Sequence, residues 1–488
     1  MFNQASRKRE RSRQGLSCAA IGLLVLVVTV VTDRHGDGDR PADREAIPGA
    51  YHALSDWGDS RAYPAEDIPP AAYTLAYEYS RSALRQPLDG GAVSAGAAWQ
   101  PRGPVNGGGR MLTVAFHPDD ADIVYAGAAS GGLWVSTTGG VGAAAWTRID
   151  TGQPVLGVST IAFEPGNSDV MYIGTGEVYN YQAAGDLEAN RATRGSYGIG
   201  ILKSTDGGAT WEKSLDWSYN QQHGVWAVRI DPLDPQIVWA ATTDGVYKSE
   251  DAGANWAQSL DVIMATDLVI HPTNSETILA ACGNFGTDGK GIWRTSDGGE
   301  IWTQVTGPDI PTTFQGKIQL GVTAADSDVV YASIGNGFSS AQGFTWLLRS
   351  DDFGTTFDLR STVDYSRYQG WFSHDVAVSP VDPDIIICIG IETWRSLDGG
   401  NTLTLISSAN GGFNGVIPPG GPEGTDQYVH PDEHDVVFHP TDPSTFYLAT
   451  DGGVFRSLDL GDTFAGVNGG LQTQQFYNGT SSSPTDPN

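Results

Sequence analysis

The 488-residue sequence predicts an all-β fold, a β-propeller of about seven four-stranded blades, and two observations carry that expectation. The first is an octet, Ser204-Thr205-Asp206-Gly207-Gly208-Ala209-Thr210-Trp211, that recurs along the chain. Further copies begin at Ser249, Thr295, Ser350, Ser396 and Ser457, and after Asp206 their aspartates are Asp251, Asp297, Asp352, Asp398 and Asp459. A degraded copy at Ser136 lacks the aspartate and reaches its tryptophan late, at Trp146. Successive starts lie 68, 45, 46, 55, 46 and 61 residues apart. A spacing near 45 suits one four-stranded blade per repeat.

The second observation is a signature upstream of each octet: a short apolar strand, a turn that usually contains proline, a second strand, and a glycine-led third. AFHPDDADIVYAGAASGGLWVS (115–136), RIDPLDPQIVWAATTDGVYKS (229–249) and VFHPTDPSTFYLATDGGVFRS (437–457) show it, and seven units are visible. Apolar runs of this length bounded by Pro, Asp and Gly are strand signals. One such unit alone leaves its faces exposed, whereas a radial array buries them against neighbours.

Each octet then joins a third strand to a fourth. Its aspartate is expected to accept hydrogen bonds from amides one or two residues on, as in an Asx turn. The fifth-position glycine supplies a positive φ, and the closing Trp or Phe buries its ring between sheets. The motif is structural.

Around this core, residues 1–32 read as a signal peptide or signal anchor. Arg7, Lys8, Arg9, Arg11 and Arg13 precede an apolar run from Leu16 to Val31, the layout of an export signal. No Ala-x-Ala site follows, and the run is short for a spanning helix. Export to the periplasm, cell surface or medium is expected, with an uncleaved anchor as the alternative. Cys18 stands near the start of that run, with most of the apolar residues after it rather than before it, which speaks against lipidation. Residues 33–50 form a flexible linker. Residues 51–98 form a partly helical arm, the helix opening at Ile68-Pro69-Pro70 and running to about Gln86.

The propeller occupies 99–488. Blade 2 carries an insertion, Val178 to Gly198, and long loops in compact repeats are often functional. After the last octet, Ser483-Pro484-Thr485-Asp486-Pro487 begins an eighth unit. Either the sequence is truncated there, or this strand closes the ring with Trp99–Val105. Cys282 and Cys388 sit in apolar strings of different repeats, as buried small hydrophobes too far apart to pair. The formal charge of −29 argues against nucleic acid or an anionic membrane as partner.

The octet resembles the Asp-box, or bacterial neuraminidase repeat, of sialidases, xyloglucan-active glycoside hydrolases and the sortilin N-terminal domain. The wider pattern resembles bacterial exported sortilin-like repeat proteins. It rests on Arg102-Gly103-Pro104 with Gly107-Gly108-Gly109-Arg110, then Gly174-Thr175-Gly176-Glu177 and Gln369-Gly370-Trp371-Phe372. His430-Pro431-Asp432-Glu433-His434, Asp451-Gly452-Gly453-Val454 and Gln474-Gln475-Phe476-Tyr477 complete it. The resemblance covers about residues 95–488 and implies a propeller, a scaffold that carries hydrolases, receptors and scaffolds alike. In the xyloglucan-active family a catalytic aspartate lies just before a glycine pair of the first blade. Here Ala129 and Ser130 precede Gly131-Gly132. The Arg-Ile-Pro string of sialidases is absent, and Arg294, Arg349, Arg395 and Arg456 directly precede octets, which assigns them to blade sheets.

The candidate chemistry lies elsewhere. On an extended segment His430, Asp432 and His434 share one face. Two imidazoles and a carboxylate there could bind a divalent transition metal or serve acid–base work; no other cofactor is expected. His374-Asp375 stand six and five residues before Pro380, as His434-Asp435 stand before Pro440. Both pairs would enter innermost strands near a central channel, as ligand contacts or as caps of strand ends. Arg110, Glu177 and Asp451 would fall nearby, joining the site or pairing with one another. The resulting expectation is an exported module that binds an extracellular protein, peptide or polysaccharide. The alternatives are a glycoside hydrolase using Glu177, Asp432 and Asp451, and an envelope scaffold.

Overall fold

Seven antiparallel sheets of four consecutive strands each make the molecule a β-propeller. The computed structural model describes residues 62–63, 69–84, 108–155, 157–181, 197–337, 344–413, 417–418 and 420–473. The apolar N-terminal run, the linker, Trp99–Val105 and the start of an eighth repeat lie outside them. The innermost strands are Met111–His117, Val158–Glu164, Val225–Ile230, Ala265–Ile270, Ile318–Val322, Asp375–Val378 and Glu433–Phe438. Each of these contacts the innermost strand of both neighbouring blades, so the seventh blade meets the first and the ring is complete.

The apolar second strands explain why. Strands such as Val238–Thr242 and Ile278–Cys282 are buried along their whole length, because a blade is covered on both faces. Seven apolar clusters result, one at each junction between blades. Cys282 and Cys388 are buried free thiols in blades 4 and 6. The seam between blades 7 and 1 adds polar bonds: Trp146 Nε1 donates to the Val467 carbonyl at 2.6 Å, and Ala145 N to the Gly469 carbonyl at 2.8 Å.

The octets lie between third and fourth strands, but the aspartate does not take the nearest amides. Ser204 Oγ accepts from the amides of Asp206 (3.3 Å) and Gly208 (2.9 Å) and donates to Asp206 Oδ1 (2.8 Å). Asp206 Oδ1 accepts from the amide four residues on, Thr210, at 2.8 Å. The first-position hydroxyl and the aspartate thus clamp the turn from both sides. The degraded copy keeps the hydroxyl: Ser136 Oγ accepts from Thr138 and Gly140, and the turn survives without its acid. Fourth as well as fifth positions have positive φ, including the non-glycine residues Ala252 (+54°), Phe353 (+45°) and Leu460 (+58°).

That left-handed position turns a carbonyl toward the preceding blade, where the basic residue before an octet meets it. Lys203 Nζ donates to the Ala252 carbonyl (2.8 Å), Arg294 Nε to that of Phe353 (3.0 Å) and Arg395 to that of Leu460 (2.7 Å).

The helix Ala72–Leu84 lies against the ring's rim. Tyr77 Oη donates to the Gly152 carbonyl at 2.8 Å, and Tyr219 Oη donates to Glu78 at 2.7 Å. Among the described residues no helix is long and apolar enough to cross a membrane.

Candidate functional site

The innermost strands surround a cavity of about 580 Å³ on the ring axis. Its lining reaches from Glu177, Tyr179, Trp226 and His434 at one end to Phe116, Pro380 and Pro440 at the other. An aromatic cluster of Tyr179, Phe285, Trp371 and Phe372 closes the first end. Tyr179, from the second-to-third-strand connection of blade 2, packs edge-on to Trp371 and Phe372, which lead into blade 6. Asn284 of blade 4 donates from Nδ2 to the carbonyls of both Tyr179 and Trp371, each at 2.9 Å. Loops of three non-adjacent blades therefore meet over the axis.

Beneath this plug, sequence register decides what faces the cavity. The residue five places before the first-turn proline is Thr113, Thr160, Ala227, Asp267, Asp375 and Asp435 in blades 1, 2, 3, 4, 6 and 7, and all of them but Ala227 line the cavity. The three aspartates latch blades together. Asp267 Oδ2 accepts from the Leu320 amide (2.9 Å), Asp375 Oδ2 from Val436 (3.3 Å) and Asp435 Oδ2 from Val114 (2.8 Å). The Asp375 carboxyl also feels the neighbouring Asp435 carboxyl. Burial, and then the neighbouring Asp435 and Asp267, pushes the Asp375 carboxyl well above the usual range; burial likewise raises Asp435. Lys317 projects among the three acids, and burial lowers its ammonium to about 8 against their opposing pull.

Register shifts mark β-bulges in the innermost strands of blades 1, 2, 3, 4 and 7. A bulge leaves one residue unpaired and re-aims it. In blade 7 that residue is His434, whose Nε2 meets Asp451 Oδ1 at 2.8 Å. Asp451 also receives Arg110, through Nε at 2.8 Å and Nη2 at 3.4 Å. Arg110 Nη1 donates to Glu177 Oε1 at 3.0 Å, and Tyr179 Oη donates to the same oxygen at 3.0 Å. The guanidinium lies 5.2 Å over the Phe372 ring.

The network fixes the charges. Burial opposes the charge of Arg110, but Glu177 and Asp451 outweigh it and hold the guanidinium charged. Burial would raise Asp451; Arg110 and the His434 hydrogen bond instead hold it well below the carboxylate range. Burial lowers His434 to about 4, so its imidazole is neutral near neutral pH. Side-chain accessibilities of 5% for Arg110 and 1% for Glu177 leave no room for a substrate between them.

Other sequence candidates do not converge on the cavity. Asp432 has φ +64°, so residues 430–434 are not extended and the expected shared face does not form. His430 Nδ1 meets the Pro431 carbonyl at 2.8 Å, while Asp432 accepts from Gln369 Nε2 at 3.2 Å. Among the described residues no three His, Cys, Asp or Glu are placed to hold a metal ion. His374 is fully buried between blades 5 and 6, with Ser333 Oγ at 2.9 Å and the Lys317 carbonyl at 3.1 Å. Only Asp375 of that pair lines the cavity. Val178–Gly198 is described only at its two ends.

Sequence reasoning missed Asp267, Lys317 and the aromatic plug. Asp267 was findable, since it precedes Pro272 as Asp375 precedes Pro380. Lys317 was not, because blade 5 has Ala324 where other blades carry proline.

No protein-family profile and no curated protein sequence matches the chain. Solved structures do. The GH74 xyloglucanase of Xanthomonas campestris superposes with a TM-score of 0.55 at 19% identity, covering 73% of this chain and 53% of that one. An ancestral GH74 enzyme gives a TM-score of 0.50 at 16% identity, covering 73% and 46%. The likeness is one of fold. The chain spans about half the length of these enzymes.

Proposed function

We propose that the propeller is an exported binding module whose ligand is a protein, peptide or glycan. The observation that carries this reading is the engagement of the candidate acids. A glycosidase needs one carboxyl at the glycosidic oxygen and another at the anomeric carbon or its attacking water. Glu177 and Asp451 are instead clamped on Arg110 beneath the plug, and Asp432 is engaged by Gln369. Export is supported by the basic and apolar N-terminal stretches; N-terminal sequencing of exported protein starting beyond about residue 32 would exclude an anchor.

Purified protein should release no reducing ends from xyloglucan or mixed-linkage glucan, and Glu177→Gln and Asp432→Asn should change nothing. Turnover that these variants lose would overturn the reading. A rival reading, a polysaccharide-active enzyme, draws on the carboxyls of Asp375 and Asp435, both on the cavity lining and both raised by burial. Turnover abolished by Asp375→Asn would establish it.

A further inference from the structure

The axial cavity holds polar groups that the fold leaves without partners. Lys317 is 2% exposed and lines the cavity. Its Nζ lies 5.2 Å over the Trp226 ring, and among the described residues it makes no side-chain hydrogen bond or ion pair. Trp226 Nε1 and Gln319 Oε1, on the same lining, are also buried without a partner. A buried polar group left unsatisfied costs about 1–3 kcal/mol. Two such atoms beside the Lys317 ammonium, from two blades, leave hydrogen-bonding capacity at the cavity wall that the protein does not use.

The chemistry of the lining narrows what that is. Donors on the lining include the Lys317 ammonium, the Trp226 indole and the Arg229 guanidinium, the last paired with Asp267 at 2.9 Å; acceptors include the Gln319 amide and the carboxyls of Asp375 and Asp435. An anion would meet three acids, and a cation would meet an ammonium already among them. A neutral molecule carrying many hydroxyls satisfies both sets, because each hydroxyl donates and accepts. Ala115, Gly321 and Ala377 on the same lining leave the space open. Its volume lies within the roughly 300–1,000 Å³ range of small-molecule sites. The plug closes one end, so entry is from the end bordered by Phe116, Pro380 and Pro440.

We propose that this cavity binds a neutral polyhydroxylated ligand, a mono- or disaccharide or the end of a glycan chain. Lys317 and Trp226 donate to its oxygens, and Gln319 with Asp375 and Asp435 accepts from its hydroxyls. This rests on the binding reading above and names its ligand class.

Full-length protein titrated calorimetrically with cellobiose, xylobiose and myo-inositol, with glucuronate and choline as charged controls, tests it. At least one neutral probe should bind saturably and raise Tm. Lys317→Met should weaken that binding by about tenfold or more, the scale of a lost charge-assisted hydrogen bond. Because it also removes the cation set among Asp267, Asp375 and Asp435, its unliganded Tm is expected to fall, and binding is read at a temperature where the variant remains folded. Gln319→Leu should weaken binding less and serves if the lysine variant fails to fold. No binding of any neutral probe, undiminished binding to both variants, or binding of a charged control alone would each sink the proposal. Retention on an immobilised glycan that survives Lys317→Met would place binding on another surface, overturning this site while leaving the binding reading intact.

Discussion

At the scale of single residues, the octet's hydroxyl matters as much as its acid. Ser204 is buried and satisfies two amides, so Ser204→Ala should cost about 1–2 kcal/mol in denaturant unfolding. Asp206→Asn should cost less, since the exposed carboxylate keeps an isosteric acceptor for Thr210. In the plug network, Asp451→Asn leaves Arg110 short of a buried counter-charge. A loss of about 3 kcal/mol in the same measurement is expected. The six aspartates were legible from their spacing. The hydroxyl's part was not, because an Asx turn reads only one or two residues ahead while the clamp spans four. His430, Asp432 and His434 misled for a local reason: period-two reasoning requires extended backbone, and Asp432 is left-handed.

At the scale of the elements, the fourth octet position offers a paired comparison. Ala252 adopts a left-handed conformation that costs a non-glycine residue roughly 1 kcal/mol. Ala252→Gly should therefore stabilise the protein by about 0.5–1 kcal/mol. Phe353 adopts the same conformation but is 2% exposed and packs in the junction of blades 4 and 5. Phe353→Gly should cost about 3 kcal/mol or more despite the relief of its backbone. Thermal unfolding of the two variants, opposite in sign, checks both. Second and third strands were legible because both blade faces are covered and their apolar runs are continuous. Fourth strands were legible only through the octet that leads into each: those of blades 4, 6 and 7 are two residues long, too short for any periodicity of their own to register.

At the scale of the whole molecule, buried acids set the response to pH. Burial raises Glu423 from 4.5 to about 7, against the pull of its hydrogen bond from Asn468. Between these values the folded protein holds a proton that the unfolded chain releases. The stability this proton confers is complete below about pH 4.5 and is lost as pH rises through 7. The loss amounts to about 3 kcal/mol at most. Glu423→Gln should flatten the decline of unfolding free energy between pH 4.5 and 7; an unchanged slope would show that Glu423 does not carry it. Seven blades were legible because repeats count themselves. The contacts across the axis were not, since Tyr179, Asn284 and Trp371 lie in connections that follow no repeat.

Those connections have a consequence for how the ring comes apart. In an open array of repeats each unit feels only its neighbours, and outer units can fray singly. Asn284 ties blade 4 to blade 2 and to the approach to blade 6 at once. No one of those blades can leave without breaking bonds across the diameter. The brace couples the loss of any one of these blades to bonds held by the other two, and it sets the separation of the walls at that end of the axial space.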